Sequence, residues 1–527
     1  MLATVFSATL SGLEGRVVRV EVDVAPGLPG FTIVGLPDAA LQEARERVRG
    51  AIRNSGFEYP PRRITVNLAP ADVPKQGASL DLPIAVGVLL GSEQVHGSAG
   101  PWALLGELSL GGEIRPAPGI LPMVAALAAA GIRRLVVPEA AAGEARLVPD
   151  VAALAAPSLR AATDVLRGRR VRGRSAPPSV DLAPLPAAGE GESRSARLAA
   201  VEAASVVPDV PDLGEVRGQH EARRALEIAL AGGHGLLLWG PPGSGKTLLA
   251  RTIPTLLPPL DDQEALAATI VASVAGAAPS GLVRRRPFRA PHHTTSYAGM
   301  VGGGPRLAPG EVTLADGGVL FLDELPEFGR DVLEALRQPL EEGSVTVVRV
   351  GRAATFPARF QLVAAMNPCP CGWHGSDESR CVCPEPVPRR YLARVSGPLR
   401  DRIDLWVMMP RVAAGEIVGP VGSERSVAVA ARVAAARRRQ AGRQGRLNGR
   451  LRGNALRRFC RLDPASSSRA VTLAELDAQT ARGTERLLRV ARTIADLAGS
   501  DAVDASHLDE AARFRSPASR LDRAIAV

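Results

Sequence analysis

Gly240-Pro241-Pro242-Gly243-Ser244-Gly245-Lys246-Thr247 fills all eight positions of the phosphate-loop pattern, between an apolar run, Gly235–Trp239, and a helical pattern opening near Thr247. Glycines at these places let backbone N–H groups wrap phosphate oxygens, and the helix N-terminus adds a favourable dipole. Lys246 supplies a compact ammonium to the β- and γ-phosphates of ATP, and the Thr247 hydroxyl is a ligand for Mg²⁺. A second apolar run, Val319–Leu322, ends in Asp323-Glu324, the Walker B arrangement: Asp323 positions Mg²⁺ and Glu324 polarises the attacking water. Read alone, the two acids also suit an exposed turn after a buried strand. A third run, Gln361–Met366, ends at Asn367, where a polar sensor of the γ-phosphate would sit, although an Asn there also suits a turn. Three apolar strands with polar residues at their carboxyl ends predict an α/β core with a parallel sheet.

Outward from this core, 527 residues predict about three domains. Hydrophobic residues at 46% and charged residues at 22% exclude a mostly disordered chain. Residues 1–166 alternate β-like runs (Arg16–Val24, Arg63–Asn67, Arg134–Val137) with helical ones (Ala40–Asn54, Leu121–Ala130). Residues 167–207, rich in Pro, Ala, Gly, Ser and Arg, read as a flexible linker; 208–410 form the α/β core and 411–527 a helical C-terminal region. The longest apolar stretch, around Leu82–Leu90, is too short to span a bilayer, and no signal-peptide order is present at the N-terminus, so a cytoplasmic protein without membrane contact is expected. The net charge of +10 is carried by arginine; only Lys75 and Lys246 are lysines. Lysine at 246 is what a phosphate cradle requires, because a planar guanidinium would not fit there.

These residues resemble the AAA+ ATPases, and the text between them narrows the resemblance. Arg289-Ala-Pro-His-His-Thr-Thr-Ser296, Gly302-Gly-Gly304, Pro309-Gly-Glu311 and Leu322-Asp-Glu-Leu-Pro-Glu-Phe328 are similar to the magnesium-chelatase-like branch. Asn367-Pro-Cys-Pro-Cys-Gly372, Arg390-Tyr391, Ser396-Gly-Pro398 and Asp401-Arg-Ile-Asp404 point closer, to the ComM/YifB-type proteins, a likeness that extends to Gly30–Asp38 and Ile64–Pro70. The resemblance implies Asn367 as sensor 1, Arg402 as an arginine finger acting on a neighbour's nucleotide, and Arg482 as the sensor 2 arginine of a helical lid. It also implies a homo-oligomer, a hexamer, since a finger given in trans needs a neighbour. From the residues alone, Arg402 also suits a helix-end ion pair with Asp401 or Asp404, and Arg482 a solvated helix charge.

The N-terminal region resembles the proteolytic α+β domain of Lon through Pro74-Lys-Gln-Gly-Ala-Ser79, which sets Ser79 on the nucleophile position. Met123 falls where Lon carries its lysine, and a thioether accepts no proton at neutral pH, so an inactive peptidase is expected.

Cys369-Pro-Cys371 and Cys381-Val-Cys383 put four thiols in one loop after Asn367, a spacing from which tetrahedral Zn²⁺ can be held as a structural clip. His374 is an alternative fourth ligand, and a redox-sensitive pair or free thiols suit the same spacing. Cys460 reads as an ordinary buried residue.

Between Arg425 and Arg461 stand twelve arginines and no acid. Such a block is commonly a solvated helix face, yet it also attracts phosphate backbones, without aromatics for base stacking. Arg284–Arg289 with His292-His293 is a second candidate for substrate contact. The resemblance implies a ring helicase on single-stranded or branched DNA that promotes branch migration in natural transformation, with recombination proteins as partners. A metal-chelatase motor and a protein-remodelling ATPase are the alternatives.

Overall fold

A computed structural model describes residues 1–36, 41, 43–71, 75, 78–96, 101–168, 210–277, 279–304, 307–349, 352–375, 380–413, 415–416, 424–476 and 481–514. The expected linker therefore lies almost wholly outside the described residues, as do Pro37, Asp38, Pro74, Gln76 and Gly77 of the quoted motifs.

The first sheet is built from β1 (Leu2–Ser11), β2 (Glu14–Ala25), β3 (Gly30–Val34), β4 (Arg63–Ala69), β5 (Trp102–Leu104), β8 (Arg134–Pro138) and β9 (Ala152–Ala156), with a two-stranded ribbon, β6 (Glu107–Leu108) and β7 (Ile114–Arg115), beside it. Its order is β3-β4-β2-β1-β5-β8-β9; β1–β2 and β2–β4 are antiparallel and the remaining pairs parallel. In β2, Val18, Val20, Val22 and Val24 are buried while Arg19 and Asp23 between them face outward, the period of a half-buried strand. The helix Asp81–Gly91 is apolar nearly all round and is buried all round, as such a sequence must be. Its one charged residue, Asp81, is held by Arg47 at 2.7 Å, and burial raises its carboxyl to about 6.

Ser79 lies in the short turn Ala78–Leu80 ahead of that helix, and Met123 is buried in the helix Ile120–Ala129. Lys75 is fully buried and its ammonium donates to the carbonyl of Pro70.

The second sheet contains β10 (Leu236–Trp239), β11 (Phe288–Arg289), β14 (Val319–Leu322), β17 (Gln361–Met366) and β18 (Leu405–Met408) in the order β11-β14-β17-β10-β18, all parallel. Two small hairpins, β12 (Gly302–Gly303) with β13 (Ala308–Pro309) and β15 (Ser344–Arg349) with β16 (Arg352–Pro357), lie outside it. β14 and β17 are buried along their whole length, as continuous apolar runs in a parallel sheet covered on both faces should be. The C-terminal region is helical: Ser426–Gln444, Gly453–Phe459, Pro464–Leu476, Ala481–Ala498 and Ala505–Arg513. Ser426–Gln444 and Ala481–Ala498 both pack on His220–Gly232, so this region shares one apolar core with the sheet.

The two units meet at the start of the helix Ile120–Ala129. The Gly119 N–H donates to the Ser273 carbonyl at 2.9 Å, and the buried Glu144 carboxylate accepts from the Leu121 N–H at 2.7 Å and from the Ser273 hydroxyl. Burial raises the proton affinity of Glu144, and these two donors oppose that. Among the described residues, no helix is long and apolar enough to cross a membrane.

Candidate active site

The phosphate loop follows β10 directly, and Gly243 and Gly245 hold φ of +77° and +89°, the left-handed conformations that glycine adopts without steric cost. Lys246 opens the next helix with its side chain turned back under the loop. Its ammonium donates to the carbonyls of Gly240 at 2.8 Å and Pro241 at 2.9 Å, and to Asn367 Oδ1 at 3.2 Å. Burial pushes Lys246 down to about 8, against the attraction of Asp323 and Glu324. The Thr247 hydroxyl donates to Asp323 Oδ2 at 2.6 Å, and the other Asp323 oxygen accepts from the Glu324 N–H at 2.9 Å. Lys246, Thr247, Asp323, Glu324 and Asn367, chosen from three separated stretches, thus converge at the carboxyl ends of β10, β14 and β17. The hydroxyl–carboxylate pair is the oxygen donor set that Mg²⁺ prefers.

Glu324 takes φ of +51° and ψ of +46°, a left-handed conformation that costs a non-glycine residue about 1–3 kcal/mol. The bend turns its side chain toward β11, where His293 Nδ1 lies 3.4 Å from Glu324 Oε2. A cavity of about 290 Å³ opens here, lined by Thr247, Arg251, His292, His293, Asp323 and Glu324. His292 pairs with Thr294 at 2.9 Å, so both histidines make local contacts. Arg284, Arg286 and Arg289 are neutralised by Asp262, Glu264 and Glu311, which removes most free charge from this second candidate for substrate contact.

Sequence reasoning missed Gln219. Its amide donates to the carbonyl of Ser244 at 3.1 Å and to that of Pro410 at 2.6 Å, tying the phosphate loop to the end of β18. The signal was Gly218-Gln219 directly before a helix, with Gln219 at φ +53°.

Arg402 and Arg482 are not brought to the phosphate loop of their own chain. Arg402 precedes β18, and its carbonyl packs against Gly235 at the amino end of β10, five residues before the loop at the opposite end. Arg402 pairs with Glu341, and burial, then the neighbouring Arg482, Arg452 and Arg337, lower its proton affinity. The two arginines therefore share one cationic patch. Asp404 anchors that turn: against its own burial, Arg489 at 3.1 Å and then His234 at 3.2 Å hold its carboxyl below the usual carboxylate range.

The four cysteine sulfurs lie within 4.8 Å of one another. Cys369–Cys371, Cys371–Cys381 and Cys369–Cys381 are separated by 3.3, 3.6 and 3.9 Å, and Zn–S bonds of about 2.3 Å at tetrahedral angles put sulfurs about 3.8 Å apart. Against partial desolvation, N–H groups of Trp373 and Val382 pull the Cys371 thiol down to about 6, while burial pushes Cys381 up to about 12 and, against the Cys371 N–H, burial and the neighbouring cysteines push Cys383 up, so without a metal the four thiols share their charge unequally. His374 Nδ1 stands outside this set, 4.0 Å from the Cys381 sulfur. The cluster sits against the phosphate loop: Gly372 holds φ of +84°, and a Cβ there would come within 2.6 Å of Pro242. Cys460 is buried apart from the cluster, and burial pushes it up to about 12.

Comparison with known proteins fits this geometry. The chain is 42% identical over 519 residues to a YifB protein of Escherichia coli, spanning 98% of this chain and 97% of that protein. It is 40% identical over 526 residues to the competence protein ComM of Haemophilus influenzae, spanning 99% of each. It belongs to the ComM/YifB-type magnesium-chelatase-like family. Residues 212–417 match the family model described as magnesium chelatase, subunit ChlI; residues 423–515 match the model of the ChlI C-terminal region, and residues 20–141 a further model of subunit ChlI of Mg-chelatase. The Mycobacterium tuberculosis relative Rv2897c is 41% identical over 534 residues, spanning 98% of this chain and 99% of that protein. Membership in this AAA+-related family implies the use of ATP and Mg²⁺, which accords with the residues gathered around Lys246.

Proposed function

We propose that this chain is a cytoplasmic, ATP-hydrolysing ring motor that acts on single-stranded or branched DNA, a branch-migration helicase supporting recombination of incoming DNA. The convergence of Lys246, Thr247, Asp323, Glu324 and Asn367 supports ATP hydrolysis, and the full-length similarity to a competence protein supports the DNA substrate. In this reading Gly240–Thr247 cradle the phosphates, Thr247 and Asp323 hold Mg²⁺, Glu324 takes the proton of the attacking water and Asn367 contacts the γ-phosphate. Mg²⁺ would neutralise charge between the β- and γ-phosphates. Residues 1–166 form an inactive Lon-like domain that helps assemble the ring, 208–410 the motor and 411–527 the lid. The test is turnover with and without single-stranded or branched DNA: stimulation is expected, and DNA-indifferent turnover would leave a protein-remodelling or chelatase-type motor.

Arg402, at the far end of the sheet, acts in this proposal on the nucleotide of a neighbour in a hexamer, and Arg482 is the sensor 2 arginine of the lid. Replacing Arg402 by Ala should lower turnover by about 10³-fold or more, the scale of an arginine finger, while ATP still binds. Adding Lys246→Ala subunits, which keep their own Arg402, should restore part of the turnover in mixed rings. No restoration in mixed rings would mean that Arg402 serves only its own chain.

Lys246 supplies a pH prediction. Free protein holds it at about 8, and bound phosphates raise that value because they favour the ammonium. Binding therefore takes up a proton above about pH 8. ATP affinity should be full below that pH and fall by up to tenfold per unit above it. Calorimetry in buffers of different ionisation enthalpy reads the proton uptake; binding that is independent of pH from 7 to 9 would contradict the assignment.

A further inference from the structure

The arginine block Arg425–Arg461 divides sharply once folded. Arg432 pairs with Glu227 and Glu424, Arg443 with Asp496, and Arg439 donates to the Asp496 carbonyl. Arg437, Arg438, Arg446 and Arg450, in contrast, line one cleft of about 650 Å³ between the helix Ser426–Gln444 with its following turn and the sheet. Arg437 donates to the Leu230 carbonyl and Arg450 to the Arg359 carbonyl; among the described residues none of the four forms a close ion pair, and Glu264 and Asp316 attract Arg437 and Arg450 only from a distance.

Two further arginines, Arg286 and Arg359, face the same cleft, and its acids are Asp261, Glu264 and Asp316. Those acids are already engaged: Glu264 by Arg286, Asp316 by Arg359, and Asp261 by the N–H of Glu264, which it caps. With six arginines against three acids, the cleft keeps a cationic surplus. Burial and then the neighbouring Arg286 push Arg437 down to about 9, against the attraction of Glu264.

The cleft is also remote from the nucleotide site. Gly233, Gly317, Gly318 and Gln361 on its wall stand at or just before the amino ends of β10, β14 and β17. The phosphate loop follows the carboxyl ends, roughly 13–20 Å away at about 3.3 Å per strand residue.

We propose that this cleft is a binding site for the phosphodiester backbone of a DNA strand, held by Arg437, Arg438, Arg446 and Arg450. The inference rests on the DNA-motor reading and locates its contact. Guanidinium groups without a close carboxylate, on a helix and the turn that follows it, suit phosphate oxygens, and with Phe360 the only aromatic among the described residues of the wall the contact reads charge, not sequence.

Arg438 and Arg446 are exposed and lie outside the nucleotide site, so the double variant Arg438→Ala/Arg446→Ala tests the proposal. Binding of a labelled oligothymidylate is measured by anisotropy across a salt series, beside basal turnover and thermal melting. Affinity should fall by about tenfold or more, and the slope of log K against log salt should shrink by about 1.4, two phosphate contacts at about 0.7 each. Basal turnover and melting should stay as in the wild type. A control pair on the helix Gly453–Phe459, Arg457→Ala/Arg458→Ala, removes the same charge elsewhere and should cost far less. Unchanged affinity and slope overturn the cleft, as does an equal loss in the control pair, or a collapse of basal turnover, which would assign these arginines to subunit assembly. Wild-type protein that neither binds the strand nor is stimulated by it overturns the motor reading itself, a result distinct from full binding by the double variant.

Discussion

Replacing Glu324 by Gln is expected to leave ATP binding intact and to cut turnover by about 10²–10⁴-fold, the contribution of a positioned general base. The amide keeps the shape of the side chain and removes the carboxylate assigned to accept a proton from water. Asp323 is already committed to the Thr247 hydroxyl and to the Glu324 N–H, so it is a poor substitute. The left-handed backbone at Glu324 aims its carboxylate at His293, so His293→Ala should change kcat with little effect on ATP affinity. Single-turnover hydrolysis beside equilibrium binding of a fluorescent ATP analogue separates the two effects. Unchanged hydrolysis by Glu324→Gln would remove Glu324 from the base role.

The second large effect concerns the cysteine cluster. Protein purified without added metal should carry about one zinc per chain by elemental analysis. The double variant Cys381→Ser/Cys383→Ser should carry none, because two of four thiolate ligands are lost. Structural zinc sites contribute about 10–16 kcal/mol of apparent binding free energy at neutral pH, so the loop between Asn367 and Arg402 should loosen markedly. Gly372 packs on Pro242, hence ATP affinity should weaken together with the zinc content, although no cysteine faces the nucleotide cavity. Wild-type protein without zinc would identify the cluster as free or redox-active thiols. Zinc loss with unaltered ATP binding would confine the clip to its own loop.

The parallel core was legible because its strands are short apolar runs that end in chemistry. β14 and β17 fall on the residues expected, and β10 begins one residue later than its apolar run. β1 escapes such a reading because Ser7 and Thr9 face the core beside Val5, with the Ser7 hydroxyl donating to the Leu104 carbonyl at 2.8 Å. The hairpin β15–β16 and the edge strand β18 carry no motif of their own. Gln219 was illegible for a similar reason: an amide that ties two loops together has partners 25 and 191 residues away. The histidines next to Arg289 were visible as candidates, but their closeness to Glu324 depends on β11 lying beside β14.

What the sequence determined by itself was local: the phosphate loop, the acids after β14, the Asn after β17 and the four-thiol loop each declare their chemistry within a few residues. The tertiary structure alone decided which charges are spent. Twelve arginines without an acid look uniform along the chain. Folding brings Glu227, Glu424 and Asp496 to some of them and leaves Arg437, Arg438, Arg446 and Arg450 around a cleft. The physical reason is that an ion pair acts over a few ångströms of space, and the partners that neutralise an arginine here come from elements as many as 205 residues away.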